Sequence, residues 1–263
     1  MNKLLSFLVK QFVKLYCFFK PLFEMVCTLY NPPPLIVNAK VIPVIINNRN
    51  RLTCLKQLIM SLEKRGYTNI YILDNASTYP PLLEYYAKEC SYKVYRFDRN
   101  YGHLALWSSG VIKDFRKSYF VYTDPDVVPI DDCPDDFIEK FLEIMKKNPL
   151  LEKVGFALKI DDLPDCFDKK ESVVTWEEQF WKKKIGDNPP LYKAAIDTTF
   201  ALYRPYYFVG GNMHSPNIRV GYPYVAMHMP WYNDSVNLND EEIYYLEHCE
   251  TASYWVGTSK LKK

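Results

Sequence analysis

Four short strand-forming runs, separated by stretches of helical spacing, constrain this chain more than any other feature of its sequence. Residues 41–47 (VIPVIIN) are a continuous, largely β-branched apolar run of the kind buried on both faces at the centre of a sheet. Leu52, Leu55, Leu58, Ile59 and Leu62 then recur at helical spacing until Gly66 ends the pattern. The alternation continues as strand 69–73, helix 81–90, strand 93–97, helix 103–116 and strand 119–123, closed by an amphipathic helix over 134–147. Strict β-α-β order predicts an α/β fold: a Rossmann-like, mostly parallel central sheet with helices on both faces.

The polar residues of this region stand where the strands end. Asn47, Asn48 and Arg49 follow the first strand, Asp74 and Asn75 the second, Asp98, Arg99 and Asn100 the third, and Asp124 and Asp126 the fourth. In an open parallel sheet all of these fall on the carboxyl edge, where such folds bind ligands. Turn initiation and helix capping account for Asn75 and Asn100, but poorly for Asp124-Pro125-Asp126. Alternation along an extended chain puts residues i and i+2 on one side, so the two carboxylates project together. A hard divalent ion, Mn²⁺ or Mg²⁺, would stabilise such a pair and keep coordination positions open for substrate phosphates. Neither GxGxxG nor GxxxxGK[ST] occurs, which argues against a dinucleotide dehydrogenase or a P-loop enzyme.

Charge separates the N-terminus from the rest. The totals are 33 Lys+Arg and 31 Asp+Glu, a net charge of +2, so bulk charge gives no affinity for nucleic acid. Residues 1–40 nevertheless carry Lys3, Lys10, Lys14, Lys20 and Lys40 against Glu24 alone. Within residues 1–30 the lysines cut the apolar run below the ~20 residues that a bilayer span requires. On a helical wheel Lys3, Lys10, Lys14, Lys20 and Glu24 gather on one sector, and Phe7, Phe12, Phe18, Phe19 and Phe23 share the rest with leucines. That is the pattern of an amphipathic helix lying in a membrane interface. Pro21 should kink or interrupt it, and Pro32, Pro33 and Pro34 should end it in a stiff linker. Residues 1–36 are therefore expected to give a peripheral contact, through residues 1–30, with the inner, cytoplasmic face of a membrane. Seven scattered cysteines with no CxxC pair agree with a reducing compartment.

The stretches VIPVIINNRNRLTCLKQLIMSL (41–62), IYILDNAS (70–77), RNYGHLALWSSGVI (99–112) and YFVYTDPDVVP (119–129) together resemble glycosyltransferases of the GT-A fold, near family 2, with Asp124-Pro125-Asp126 as the DxD motif. The resemblance implies a nucleotide-sugar-binding half over 37–132 and an acceptor-binding half of the same domain over 133–263. It implies that Pro43, Asn47, Arg49, Asp74, Gly102, His103 and Asp124 hold the donor, and that Asp124, Asp126 and His228 hold the metal. Asp197 in AAIDTTFALYRP (194–205) takes the place of the acidic residue that begins a helix and serves as base, with Glu241 and Glu242 as alternatives. The implied reaction is metal-dependent transfer from a nucleotide donor, a UDP-sugar, to a glycan or lipid-linked acceptor in cell-surface polysaccharide synthesis, inverting the anomeric carbon. Trp176 and Trp181, with Trp231, Tyr232 and Trp255, offer flat aromatic platforms for an acceptor sugar, or else pack in the core.

Two other functions fit parts of the pattern. Asp124-Pro125-Asp126-Val127-Val128, with Asp161 and Asp162 downstream, also suits a haloacid-dehalogenase-type phosphotransferase, although that motif normally follows the first strand. A GT-A-like protein that binds nucleotide or glycan without turnover fits as well, because Ile196 stands where the usual Glu of a Glu-Asp pair is expected.

Overall fold

A computed structural model describes residues 3–197, 199–209 and 216–249. After a long first helix, α1 (Lys3–Tyr30), the predicted alternation is present as β1 (Val44–Asn48), α2 (Thr53–Lys64), β2 (Ile70–Asp74), α3 (Pro80–Lys88) and β3 (Lys93–Arg96). It continues through α4 (Ala105–Ser108) to β4 (Phe120–Thr123). The first strand begins late because the Asn38 side chain accepts from the Lys40 N–H and holds Ala39–Val41 in a 3-10 turn. The helix expected over 103–116 is broken. Only α4 is α-helical, between 3-10 turns at Gly102–Leu104 and Val111–Asp114, because Gly110 takes a left-handed φ of 83° that ends a helix.

The second half consists of β5 (Val127–Pro129), α5 (Phe137–Lys147), β6 (Lys153–Leu158), α6 (Lys170–Glu177), β7 (Lys184–Asp187), β8 (Pro190–Lys193), β9 (Ala201–Tyr203), β10 (Asn217–His228) and α7 (Asp240–Glu247). One sheet runs through both halves in the order β3-β2-β1-β4-β9-β6-β10-β8-β7, with β5 on β10. It is mostly parallel: β1, β2, β3, β4, β6, β7 and β10 run one way, and β5, β8 and β9 the other. The inserted β9 pairs antiparallel with β4 on one side and β6 on the other, which seals the halves into one sheet.

Side-chain alternation divides the core between the two faces. On one face Val44 and Ile46 pack with Leu55, Leu58 and Leu62 of α2, and Phe156 with Phe137 and Phe141 of α5. On the other, Ile45, Phe120, Tyr122 and Tyr203 pack around Trp107 of α4. The carboxyl ends of β1, β2 and β4 are thereby clamped from both faces.

The first helix departs from expectation at two points. It runs unbroken through Pro21, whose carbonyl accepts from Arg204 Nη1 at 3.3 Å, so docking on the domain holds the turn that the proline weakens. Lys20 and Glu24 are buried against the domain instead of meeting solvent or lipid. Lys20 Nζ lies 2.8 Å from Glu152 Oε2 and 3.5 Å from Glu24 Oε1, and the Phe208 N–H donates to Glu24 at 2.8 Å. Burial pushes the Glu24 carboxyl up to about 7, with Lys20 opposing. No described helix is long and apolar enough to cross a membrane.

Candidate active site

Asp124-Pro125-Asp126 carries the chain from the end of β4 into β5, whose antiparallel pairing sets Val127 opposite His228 at the end of β10. The Met229 N–H donates to the Asp126 carbonyl at 2.8 Å and completes the junction. His228 Nε2 consequently lies 3.8 Å from Asp126 Oδ1, and the Trp231 ring packs 4.6 Å from the imidazole. Burial lowers the His228 pKa, with Asp126 pulling the other way, so the ring is neutral at neutral pH. Asp126 Oδ1 and His228 Nδ1 are buried and have no hydrogen-bond partner among the described residues.

A carboxylate beside a neutral imidazole is a donor set that a divalent cation can use. Among the described residues no group of three or more such side chains could hold an ion unaided. An ion of the Mg²⁺ or Mn²⁺ kind does not need one, since it takes one or two carboxylates and completes its shell with substrate phosphates and water. The residues present therefore fit a cation that arrives with a phosphorylated ligand.

Arg51, two residues beyond Arg49, adds a buried cation to this edge. Its guanidinium pairs with Glu242, lies 3.7 Å from the centre of the Tyr245 ring, and acts electrostatically on both Asp126 and His228. Arg51 closes the polar run Asn47-Asn48-Arg49-Asn50-Arg51 at a strand end, the one signal in the sequence that marks it. The α2 helix has no side-chain cap of its own, and Glu241 supplies one, accepting from the Thr53 N–H at 3.0 Å and the Thr53 hydroxyl at 3.0 Å. Glu241 and Glu242 thus point at α2 and Arg51 and fasten α7 across the edge.

The loop after β3 is tied to the same edge. Asn47 and Asn75 both donate to the Gly102 carbonyl, at 3.3 and 3.0 Å, and Asn75 Oδ1 accepts from the Tyr101 N–H at 2.7 Å. Gly102 sits at a φ of 70° and the Tyr122 hydroxyl donates to the His103 carbonyl at 2.8 Å. Arg49 donates to the Asn75 carbonyl at 2.9 Å, and the buried Asp74 accepts from the Ser77 N–H at 3.3 Å with Arg96 Nε 3.4 Å away. Asn47, Arg49, Asp74, Gly102, His103 and Asp124 are therefore gathered at one edge. Pro43 is not with them. It precedes β1 at the amino edge, its carbonyl accepting from the Val121 N–H at 2.8 Å, and four extended residues, roughly 13 Å, separate it from Asn47.

Asp197 is exposed and does not begin a helix; three residues further on, the chain approaches β9. The carbonyls of Ile196 and Asp197 accept from Lys153 Nζ at 3.0 and 3.4 Å. Burial pushes the Lys153 ammonium down to about 8, against the pull of Asp197. Burial also raises the Tyr203 hydroxyl well above its ordinary value, and the carboxylates of Asp197 and Asp124 add to that rise, so both act on the same side chain.

The aromatic residues divide. Trp231 is buried beside His228, and the Tyr232 hydroxyl donates to Asp162 at 2.7 Å. Trp181 packs on Tyr192 and Tyr222 at the β8–β10 end of the sheet, whereas Trp176 on α6 is 45% exposed beside Phe180. The next residue, Glu177, pairs with Arg219 at 2.7 Å and bears on His228, which brings α6 near the site. Trp255 lies outside the described residues. Asp161 and Asp162 are engaged by Lys159 and by the Tyr222 and Tyr232 hydroxyls.

The family model of glycosyl transferase family 2 matches residues 44–209. No curated protein matches the chain. Among solved structures, TarS 1–349 of S. aureus shares 12% identity, covering 72% of this chain and 58% of its own, with a TM-score of 0.38. Glucosyl-3-phosphoglycerate synthase of Mycobacterium tuberculosis, in complex with phosphoglyceric acid, shares 13% over 72% of this chain and 73% of its own, with a TM-score of 0.42. GalNAc-T7, solved with UDP, GalNAc and Mn²⁺, shares 13% over 71% and 44%, with a TM-score of 0.44. The chain thus spans little more than half of the TarS structure and less than half of GalNAc-T7. The family match runs from β1 past β9 and takes in Asp124, Asp126 and Asp197, more than half of the 263 residues; this GT-A chain belongs to glycosyl transferase family 2.

Proposed function

We propose that the protein moves a sugar from a nucleotide donor, a UDP-sugar, to a hydroxyl of a glycan or lipid-linked acceptor, with a divalent cation and inversion at the anomeric carbon, in cell-surface polysaccharide synthesis. The observation that carries this is the meeting of Asp126 and His228 at the carboxyl edge, each with a buried atom that lacks a hydrogen-bond partner. Asp126 and His228 would hold Mn²⁺ or Mg²⁺, joined by Asp124, which also takes the donor ribose. When bound, the cation supplies Lewis-acid stabilisation of the charge on the departing nucleoside diphosphate.

The chain's own residues do the rest. Asn47 and Asn75 fix the Gly102 loop so that its backbone can approach the donor, and Asp74 and Arg49 line the base and ribose side. A sugar hydroxyl is a poor nucleophile, so a carboxylate within hydrogen-bond reach must take its proton as the new bond forms. Asp197, exposed and held by Lys153 through its backbone carbonyl, is the residue assigned to that step. In-line attack from its side inverts the anomeric centre. Residues 37–132 form the donor half and 133–263 the acceptor half, with Trp176 and Trp181 as sugar platforms. The test is a screen of nucleotide sugars with Mn²⁺ for nucleoside diphosphate release. Release from a UDP-sugar supports the proposal, and metal-dependent binding without release across the panel indicates a non-catalytic binding module.

A further inference from the structure

An amphipathic helix packed on a soluble domain ordinarily turns its apolar face inward. The first helix of this chain does the reverse. Its inward contacts are mainly polar, with Lys20 on Glu152 and over the Tyr207 ring, Arg204 on the Pro21 carbonyl and the Phe208 N–H on Glu24, and with Phe23 packed on Phe208 beside them. Its outward face carries Phe12, Leu15, Phe18, Phe19, Leu22 and Val26, between 38% and 72% exposed. The polar groups are spent on the domain, and a broad aromatic surface is left facing away from it.

We infer that this outward face of α1 docks on an anionic lipid bilayer, lying in the interface plane. Three observations favour lipid over a second copy of the chain. The face is much wider than the two-in-seven seam of a helix dimer and offers few polar groups for register. It is rich in aromatic side chains, which favour the bilayer interface. The same helix carries Lys3, Lys10 and Lys14 with no acidic residue before Glu24, a charge pattern complementary to anionic headgroups.

The docking point of α1 on the domain lies away from the candidate site. Glu152 immediately precedes β6 and Arg204 immediately follows the oppositely directed β9, so both lie on the amino edge of the sheet. Asp126 and His228 lie on the carboxyl edge. The contacts that hold α1 and the candidate site therefore lie at opposite edges of the sheet.

Co-sedimentation of the full chain with phosphatidylcholine vesicles, with and without phosphatidylglycerol, tests this. The wild type should pellet with the phosphatidylglycerol vesicles, and Phe18→Ser/Phe19→Ser/Leu22→Ser should lower the bound fraction at least about tenfold, because each change removes a large apolar side chain from the interface. Circular dichroism checks that the triple variant is folded, and the single Phe18→Ser should show a smaller loss in the same direction. A wild type that stays in the supernatant, or a folded triple variant that pellets as well as the wild type, would overturn the inference. So would a wild-type dimer in solution that the triple variant converts to monomer, since a second copy would then cover the face. Nucleotide-sugar hydrolysis, measured without vesicles, is a separate readout, so loss of docking and loss of the proposed activity are distinguishable.

Discussion

Asp126 and His228 meet because a three-residue strand, β5, turns back along the last residues of β10 and leaves Oδ1 and Nε2 3.8 Å apart. If this pair holds the cation, His228→Ala should weaken Mn²⁺ binding, read by titration calorimetry, by about tenfold or more, since even loss of a ligand's supporting partner costs that much. Unchanged affinity would remove His228 from the site.

Arg51 and Glu242 form a buried ion pair with the guanidinium stacked on Tyr245. Glu242→Ala leaves a buried charge unpaired and should cost about 3–5 kcal/mol in urea unfolding. A loss of activity with stability intact would instead give Glu242 a chemical role.

Asp197→Asn should lower sugar transfer by about 10²–10⁴ while donor affinity stays near wild type, the signature of a lost general base. Full transfer by this variant would move the role to Glu241 or Glu242. Lys153→Met, which removes the donor to the Ile196 and Asp197 carbonyls, should lower the rate in the same direction but less.

Asn75 holds the Gly102 loop with two hydrogen bonds. Asn75→Ala removes both and should raise the donor KM by about 30-fold, in line with roughly 1 kcal/mol per bond, with a smaller effect on kcat. Equal loss of kcat at constant KM would contradict a ground-state role.

The first-half architecture was legible in the sequence because local pattern and final packing agree there. The β1, β2 and β4 runs are largely buried, α2 covers β1, and the polar residues after β1, β2 and β4 end at one edge. The second half is organised by long-range pairing, and periodicity says nothing about which strand β9 or β10 will join. For the same reason the wheel correctly grouped Lys20 and Glu24 but could not show that Glu152 and Phe208 would meet them. His228 was placed by resemblance and is found beside Asp126, whereas Pro43 lies a strand length from the edge assigned to it.

Glu24 makes the docking of α1 pH-dependent. Its carboxyl is raised from 4.5 to about 7 by burial, so the folded state favours the protonated form. This group's contribution to stability is complete below about pH 4.5 and is lost as pH rises through about 7. Glu24→Gln keeps a carbonyl oxygen for the Phe208 N–H and cannot ionise. Its melting temperature relative to wild type should therefore rise between pH 5 and pH 8, by an amount on the order of 2–3 kcal/mol in stability. A constant difference would show that Glu24 keeps an ordinary pKa.

Nucleoside diphosphate release by wild type and Asp126→Ala, in saturating Mn²⁺ and a UDP-sugar, tests the central claim most directly. The wild type should release nucleoside diphosphate at least about 100-fold faster, the cost of removing a group that stabilises developing charge. Equal rates in the two proteins would contradict cation-assisted chemistry at Asp126.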